Sequence, residues 1–364
     1  MRQWQSYPSW IGHRVREAGI HVGRLSQSAD LPRVIFSPSD GNRGYSSGLR
    51  GYAIAEELRN FGWRTSVIPK QLELSQRQRL VHLERPDVIV LQKAKHPLNR
   101  PKFYPNATCV FDLDDADFLD LTHQEGTIEC IRNSSGVIAG SRFVADFAGK
   151  YNSHVEIIWT SSTPSKYRSE HKLMPPVVAF ATSDADKYPR ECALVTSALS
   201  RVRSRDWQFW LFGVHNPIVG QRMTTDLKDR GISCQIFPFM SYTKFMKIME
   251  VVSIGLAPIV PSISAEVGGK SFGKFLSYLN CRVTTIASNF ADHPLFFENG
   301  INGYLASSPS EFAEYIDLLL SDSELREQIA ESAYKDYLDK LSTHAAAKKT
   351  DIFIRELMRS LRRK

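Results

Sequence analysis

Short apolar runs alternate with amphipathic segments along this chain from Arg33 onward, and the alternation occurs in two series. This alternation is typical of parallel β-sheets flanked by helices, because a strand of such a sheet is buried on both faces and returns through a helix. The sequence therefore predicts two doubly wound α/β domains in succession. The predicted strands are 34–36, 65–68, 87–91, 109–111, 136–139 and 155–158 in the first series, and 177–180, 209–213, 234–237 and 254–258 in the second.

A hinge is expected between the two series. Residues 160–176 are richer in Ser, Thr, Pro and charged residues and show no clear period, as is typical of a connecting segment. With 364 residues the chain is long enough for two domains of ordinary size. We therefore expect an N-terminal extension, two α/β domains and a basic C-terminal helix, with the bounds 1–32, 33–165, 166–342 and 343–364.

Hydropathy and cysteine usage indicate a cytoplasmic protein. The longest apolar run, 251–260, is interrupted by Ser253 and Pro258 and is shorter than the roughly 18 residues that a membrane-spanning helix needs. The five cysteines are scattered and form no Cys-x-x-Cys pair, so neither a disulfide framework nor a zinc site is expected. The histidine spacing of zinc hydrolases is also missing.

Positive charge is concentrated at the C-terminus. Segment 348–364 carries seven basic residues against two acidic ones, a balance of +5 within the formal +7 of the chain. Two alternatives follow for this helix: it lies on an anionic membrane surface, at the inner face of the membrane, or its apolar stripe packs on the protein. Because no nucleic-acid recognition module lies between the basic termini, we expect no nucleic acid as a partner. The stripe consists of Ile354, Leu357, Met358 and Leu361.

A glycine turn followed by two lysines indicates a phosphate site in the second series. Residues 269–278 open an amphipathic helix whose first turn carries Lys270 and Lys274, and a helix N-terminus adds exposed N–H groups and a partial positive charge. The match to a nucleoside-triphosphate P-loop is poor, since that pattern needs a glycine where this chain has Ser264. The alternative interpretation is a pair of solvated lysines at an exposed helix end.

This lysine loop is one of several motifs that follow one another in a characteristic order. It is preceded by the predicted strand 254–258 and followed by the two-glycine turn 298–305, after which residues 308–311 begin a helix with a capping box and a proline at its first position. The order resembles the donor-binding half of GT-B glycosyltransferases of the glycogen-synthase-like, retaining superfamily. In the N-terminal half, segments 111–115 and 137–143 resemble a bacterial, glycosyltransferase family 4-like branch of it.

The resemblance implies a GT-B fold, in which two Rossmann-like domains face each other across a cleft. It implies a glycosyltransferase, of the hexosyltransferase type, that moves a sugar from a nucleotide-sugar donor to a glycan, lipid-linked or small-molecule acceptor, with retention and without an obligatory metal ion or cofactor. It further implies a place in polysaccharide biosynthesis at the cell envelope. The residues implied are Gly269, Lys270, Ser271, Lys274, Ser277, Thr182 and Lys187 for donor binding, and Gly44 and Tyr45 for the acceptor loop.

One departure from the superfamily leaves other functions open. Many members carry a pair of glutamates that contact the donor, and alignment of the lysine-loop helix puts Gly269 and Ser277 at those positions. Glu266 lies close to the first position but is not in register. The alternatives are therefore a non-catalytic sugar-binding or assembly subunit descended from a transferase, and a nucleotide-sugar epimerase or phosphorylase of the same architecture.

An acidic run follows the predicted strand 109–111. A string of this kind suggests a Mg²⁺ or Mn²⁺ site, because these ions prefer oxygen ligands. In the superfamily, however, the phosphates are met by side chains and helix amides, and relatives often have an acceptor-facing histidine where this chain has Asp114. We therefore expect no metal site here and expect Asp114, with Asp115 as the second choice, to orient or deprotonate the acceptor hydroxyl; a helix cap or loop hydrogen bond is the alternative. The run comprises Asp112, Asp114, Asp115, Asp117 and Asp120.

Overall fold

The computed structural model describes residues 14–15, 17–20, 22, 30–41, 45–169, 175–260 and 272–363. The chain divides into two compact units, one formed by 1–161 with 343–364 and the other by 162–342. The division falls at Ser161, inside the segment expected to be a hinge, whereas the sequence analysis put the boundary after residue 165. The C-terminal helix, expected as a separate element, is part of the first unit.

The first unit contains a sheet of six parallel strands in the order β2-β1-β3-β4-β5-β6. Its central strands β3 and β4 are buried along their whole length. This burial on both faces explains why they occur in the sequence as continuous apolar runs. The strands are β1 Arg33–Ser37, β2 Arg64–Val67, β3 Val88–Gln92, β4 Cys109–Leu113, β5 Gly136–Ala139 and β6 Val155–Ile157.

Helices connect these strands. The first connection begins with a π-helical turn, Ser47–Tyr52, which continues into α1 Ala53–Glu57 and a 3₁₀ turn Leu58–Phe61. Gly62 ends this helical segment in the left-handed conformation, with φ +78°, which glycine adopts without steric cost. Further α-helices of this unit are α2 Leu74–Glu84, α3 Leu121–Asn133 and α4 Arg142–Ala148.

The second unit repeats this plan with six parallel strands in the order β12-β11-β10-β7-β8-β9. Neither β11 nor β12 is among the strands predicted from the sequence. The five residues of β11 are nonetheless fully buried, and three of them are Ser or Thr, so the apolar signal is weak. The strands are β7 Val177–Ala181, β8 Gln208–Phe212, β9 Ser233–Phe237, β10 Ile254–Ala257, β11 Thr284–Ser288 and β12 Tyr304–Ala306.

Helices cover the faces of the second sheet. They are α5 Pro189–Leu199, α6 Pro217–Asp229, α7 Tyr242–Ile248, α8 Leu276–Asn280, α9 Pro309–Ser321 and α10 Ser323–Lys340. As the sequence predicts, α9 begins with a capping serine and a proline: the Ser308 Oγ atom accepts the N–H of Glu311 at 3.2 Å. The Glu311 carboxylate accepts the N–H of Ser307 at 2.8 Å, one residue before the cap. Two orphan N–H groups are thereby satisfied.

The last helix, α11 Thr343–Arg362, packs on the first unit. Ile354 and Leu357 of the predicted apolar stripe are 0% and 2% exposed and belong to the core of that unit. The Trp63 indole donates a 2.6 Å hydrogen bond to Asp351 of the same helix. Of the two alternatives for the stripe, packing on the protein is confirmed, with only its end at Leu361 exposed. Among the described residues, no helix has the length and hydropathy to cross a membrane.

Candidate active site

Polar side chains collect at the carboxyl ends of β1, β3 and β4 in the first unit. Ser37 ends β1, Gln92 ends β3, and Asp114 and Asp115 directly follow β4. Parallel strands share one carboxyl edge, and the order β2-β1-β3 makes β1 the position where the winding reverses. Open α/β sheets bind their ligands at such a position. This edge is therefore the candidate active site of the first unit.

Asp114 is buried there and is held from two sides. Its Oδ1 atom lies 2.8 Å from the Lys93 ammonium, and its Oδ2 atom accepts a 2.6 Å hydrogen bond from the Ser46 hydroxyl. Burial alone would raise the pKa of the Asp114 carboxyl, but the charges of Lys93 and Arg50, with the two hydrogen bonds, outweigh it and hold the pKa at about 2. The carboxyl group is therefore ionised at neutral pH and is a weak base.

Asp115 lies beside Asp114 and is more accessible. The Lys93 ammonium donates a 2.6 Å hydrogen bond to Asp115 Oδ2, so that one cation bridges both carboxylates. The Asp115 side chain is 43% exposed, against 8% for Asp114. Of the two predicted residues, Asp115 is thus the one that a ligand in solvent can reach directly.

Lys93 belongs to this site and is not among the site residues predicted from the sequence. Its side chain is 9% exposed. Burial would lower the pKa of the ammonium group, but the charges of Asp114, Asp115 and Asp117 raise it above its usual value. A signal was present in the sequence, because this lysine directly follows the strand β3, whose end lies at the same sheet edge as Asp114.

A hydrogen-bond network connects the predicted acceptor loop to this edge. The Gln92 amide donates to the Ser46 hydroxyl at 3.0 Å and accepts from the Ser47 hydroxyl at 2.8 Å. Tyr45, predicted to belong to the acceptor loop, precedes these serines and is 53% exposed. Gly44, predicted with it, lies outside the described residues. The described end of the loop is therefore anchored to β3 through two serine hydroxyls.

The acidic run is paired with basic groups. Asp112 lies 2.5 Å from Arg50 in a fully buried ion pair, Asp117 lies 2.8 Å from Lys95, and Asp120 caps α3. Burial raises the pKa of both Asp112 and Asp117. Within the ranges that the structure describes, no group of three or more His, Cys, Asp or Glu residues is arranged to hold a metal ion. The aspartates of this run therefore form ion pairs with lysines and an arginine, and one of them caps a helix.

A narrow pocket lies beside the buried pair of Arg50 and Asp112. Apolar side chains make up most of its wall, among them Phe36, Trp159 and Ala346. Neither Asp114 nor Asp115 lines it. This pocket therefore belongs to the packing of α11 on the first sheet and not to the candidate active site.

The second unit contains the residues predicted to bind the donor. Thr182 follows β7, and its carbonyl oxygen lies so close to Gly213 that a Cβ atom there would be 1.8 Å away. Gly213 also has φ +82°, so both space and conformation require glycine. Lys187 ends a 3₁₀ turn after β7, is 76% exposed and lies 3.3 Å from Asp184. Its ammonium group is therefore accessible at the carboxyl edge of the second sheet.

The lysine loop is described only in part. Gly269, Lys270 and Ser271 lie outside the described residues, and of Lys274 only the backbone is described, in a 3₁₀ turn that precedes α8. Ser277, predicted to occupy a donor-binding position, is 7% exposed within α8. The phosphate site around the two lysines stays a prediction.

Two motifs of the family resemblance have structural roles in the described residues. The Tyr278 hydroxyl accepts the N–H of Ala181 at 2.8 Å, which fixes the end of β7. In the two-glycine turn, the Asn302 side chain accepts the N–H of Glu298 at 2.7 Å and donates to the carbonyl of Phe296 at 2.8 Å. Their side chains stabilise the fold around the residues predicted to bind the donor.

An exposed aromatic ring follows β9. Residues 238–240 form the segment directly after this strand. Phe239 is 64% exposed, and its ring stacks on His215 with centroids 6.0 Å apart and planes 19° apart. His215 in turn lies 3.1 Å from the carbonyl oxygen of Ser183, after β7. The ring is thus held at the carboxyl edge of the second sheet and not in its core.

Comparisons with known proteins agree with this architecture. Residues 198–350 match the family model described as glycosyl transferase-like. Sucrose-phosphate synthase from Thermosynechococcus elongatus has a TM-score of 0.67 at 10% identity, over 90% of this chain and 100% of that one. HepE from Anabaena, in complex with UDP and glucose, has a TM-score of 0.64 at 13% identity, over 89% and 100%. A UDP-N-acetylglucosamine 2-epimerase, described as putative, from Listeria monocytogenes has a TM-score of 0.53 at 10% identity, over 87% and 94%. No curated protein matches.

These matches test the fold class that the sequence predicts. The two six-stranded parallel sheets with flanking helices are those of two-domain, Rossmann-like GT-B proteins. The predicted fold class and the predicted resemblance are both confirmed.

Proposed function

We propose, from the glycosyl transferase-like domain at residues 198–350 and the GT-B fold of the chain, that this protein transfers a sugar from a nucleotide-sugar donor to an acceptor hydroxyl. The observation that carries the proposal is the pair of carboxylates after β4, Asp114 and Asp115, at the carboxyl edge of the first sheet in a chain of this fold. A structural neighbour supports the donor class, since HepE from Anabaena was solved in complex with UDP and glucose.

The donor is proposed to bind at the carboxyl edge of the second sheet. Phe239 offers an exposed, stacked ring to the base, and stacking of a base on an aromatic side chain is typically worth about 1–3 kcal/mol. Lys187 and Thr182 lie at the same edge. The diphosphate is assigned to Lys270 and Lys274, because a leaving nucleoside diphosphate develops negative charge that fixed cations stabilise.

The acceptor is proposed to bind at the edge of the first sheet. A carboxyl group with a pKa of about 2 is a poor proton acceptor at neutral pH, so we assign Asp114 the orientation of the site and not general-base catalysis. Asp115 is the more exposed carboxylate and is assigned the hydrogen bond to the acceptor hydroxyl. Transfer of a hexose with retention, to a glycan, lipid-linked or small acceptor of the cell envelope, completes the proposal by resemblance.

A non-catalytic, sugar-binding role is the second candidate function. Ser277 occupies a position where relatives carry a glutamate, and its side chain is buried in α8. A serine there provides no charge for the donor. In this case the protein would bind nucleotide-sugars without transferring the sugar.

Thermal unfolding with UDP, GDP, ADP and UDP-glucose tests the proposal. A ligand that binds only the folded state stabilises it by about 2.7 kcal/mol at one hundred times its dissociation constant, so we expect at least one of these nucleotides to raise the unfolding midpoint. Phe239→Ala should weaken that nucleotide by roughly 1–3 kcal/mol. The control is Ile218→Ala, which removes another exposed apolar side chain of the second unit.

Three outcomes are distinguishable. No midpoint shift with any nucleotide would contradict donor binding. Binding followed by product formation, detected by mass spectrometry with envelope glycans as acceptors, would support the transferase. Binding without product from any such acceptor would favour the non-catalytic role.

A further inference from the structure

We propose that Lys93 is a positioning residue for the acceptor, which holds Asp114 and Asp115 in one fixed arrangement; this inference rests on the proposed function. The Lys93 ammonium lies 2.8 Å from Asp114 and 2.6 Å from Asp115. Its side chain is 9% exposed. A buried cation between two carboxylates fixes the position of both, because neither carboxylate can move away without leaving the charge unpaired.

The backbone of Lys93 is strained, which points to the same role. Its φ angle is +51°, in a region that non-glycine residues rarely occupy. Its N–H donates a 3.0 Å hydrogen bond to the carbonyl of Asp112, so the turn remains attached to β4. Strained residues of this kind concentrate at functional sites, where the surrounding structure holds them in place.

Neighbouring residues hold the same carboxylate from its other side. Gln92, which ends β3, donates to the Ser46 hydroxyl at 3.0 Å, and that hydroxyl donates to Asp114 at 2.6 Å. Lys93 therefore holds one oxygen of Asp114 directly, while Gln92 holds the other through Ser46. Two consecutive residues of one strand end thus determine the orientation of this carboxylate.

The arrangement leaves Asp115 suited to an acceptor hydroxyl. Lys93 binds its Oδ2 atom, and the carboxylate as a whole is 43% exposed. The second oxygen can accept a hydrogen bond from a hydroxyl group while the first keeps the side chain in place. Precise placement of a reacting group can change a rate by about a hundredfold.

The first test measures the pKa of Asp114 in the ligand-free protein. Carbon-13 NMR of aspartate-labelled protein would compare the wild type with Lys93→Met, Lys93→Arg and Lys95→Met. The charged groups that face Lys93 are Asp114, Asp115 and Asp117, and Arg50 acts on Asp114 from the other side.

Removal of the charge in Lys93→Met should raise the pKa of Asp114 by roughly one to three pH units, and Lys93→Arg should keep it low. Lys95→Met is the matched control, because Lys95 pairs with Asp117 and its side chain is 45% exposed. An unchanged pKa of Asp114 in folded Lys93→Met protein would overturn the proposal.

The second test separates positioning from a purely structural role. With the nucleotide-sugar that the thermal panel identifies, Lys93→Met should lower kcat roughly 10- to 100-fold and leave the donor KM unchanged. Lys93→Arg should restore part of kcat, and Lys95→Met should stay within about twofold of the wild type. Wild-type kcat in a folded Lys93→Met protein would overturn the proposal. If no nucleotide-sugar binds the wild type, the proposed function fails, and the carboxylate titration still decides what Lys93 does.

Discussion

Two carboxylates that are neighbours in the sequence have different chemistry in this protein. Asp114 and Asp115 share the Lys93 ammonium, yet the first side chain is 8% exposed and the second 43%. The difference arises because Asp114 directs its carboxylate to Ser46 and Lys93 inside the sheet edge. Burial and hydrogen bonding, and not residue type, therefore enclose the Asp114 carboxylate and leave the Asp115 carboxylate accessible to solvent.

The depressed pKa of Asp114 predicts an acid-dependent loss of stability. Since the pKa is about 2 in the folded state against an ordinary value of 3.8, the stabilisation is complete above pH 4 and disappears as the pH falls toward 2. The free energy of unfolding of the wild type should therefore exceed that of Asp114→Asn by roughly 2 kcal/mol more at pH 5 than at pH 2. Urea unfolding of both proteins measures this. If the difference in free energy of unfolding between the two proteins did not change with pH, the depressed pKa of Asp114 would be contradicted.

Gly140 is predicted to be required for the packing of Asp114. A Cβ atom at this position would lie 2.6 Å from the Asp114 Cα atom and 2.8 Å from its carbonyl oxygen, and backbone atoms cannot move aside as a flexible side chain can. Gly140→Ala should therefore destabilise the fold by about 1–3 kcal/mol. Gly41→Ala is the control, since a Cβ atom there meets nothing within 4 Å. Equal unfolding midpoints for the two variants would disprove the packing argument.

At the scale of elements, helix α11 packs its apolar stripe on the first unit and exposes basic residues to solvent. Ile354 and Leu357 are buried in the first unit, and full burial of such a side chain is worth about 1.5–3 kcal/mol. The stripe is thus unavailable for insertion into a membrane. The exposed residues of the helix include Lys348, Arg359 and Arg362. Any membrane contact through this helix is therefore proposed to be electrostatic.

An electrostatic contact predicts salt-sensitive binding to anionic vesicles. The protein should co-sediment with phosphatidylserine-containing vesicles at low salt and be released at high salt, because each basic residue near such a surface contributes about 1 kcal/mol that ions screen. Replacement of Lys348, Arg359, Arg362 and Arg363 by Gln should abolish binding without changing the unfolding midpoint. Neutral vesicles are the control. Binding that persists in the variant would show that the basic residues of α11 do not form the vesicle-binding surface.

At the scale of the whole molecule, each unit has a core of its own, but the first one is completed by the end of the chain. The core of the first unit includes Ala346, Ala347, Ile354 and Leu357 of α11. The core of the second unit, by contrast, lies entirely within residues 162–342. The first unit therefore needs helix α11 to complete its core, and the second unit does not.

A chain that ends at residue 342 tests this dependence. We expect amide hydrogens of β1, β3 and β4 to lose protection from exchange, because the strands lose the helix that covers one face of their sheet. The strands of the second unit should keep their protection. Hydrogen exchange followed by mass spectrometry, with full-length protein as the reference, measures both units at once. Loss of protection in the second unit as well would contradict independent cores.

Local sequence patterns were sufficient for much of the architecture. Short apolar runs predicted all six strands of the first unit, most clearly β3 and β4, because burial on both faces leaves a signal within a few residues. In the second unit, β11 escaped detection because its threonines and serine are buried within the sheet. The order of motifs around the lysine loop also predicted the resemblance to GT-B glycosyltransferases, since turns and caps require particular residues at particular spacings.

The sequence by itself determined the α/β class, the two successive sheets, the superfamily resemblance and the presence of acidic residues after β4. Only the tertiary structure decided which partner each aspartate takes, because the ion pairs join residues that are distant in sequence, as Asp112 and Arg50 are. It also decided that the stripe of α11 is buried and that Lys93 bridges two carboxylates. The physical reason is that burial and charge pairing depend on which elements meet at one sheet edge or face, and local periodicity carries no information about that.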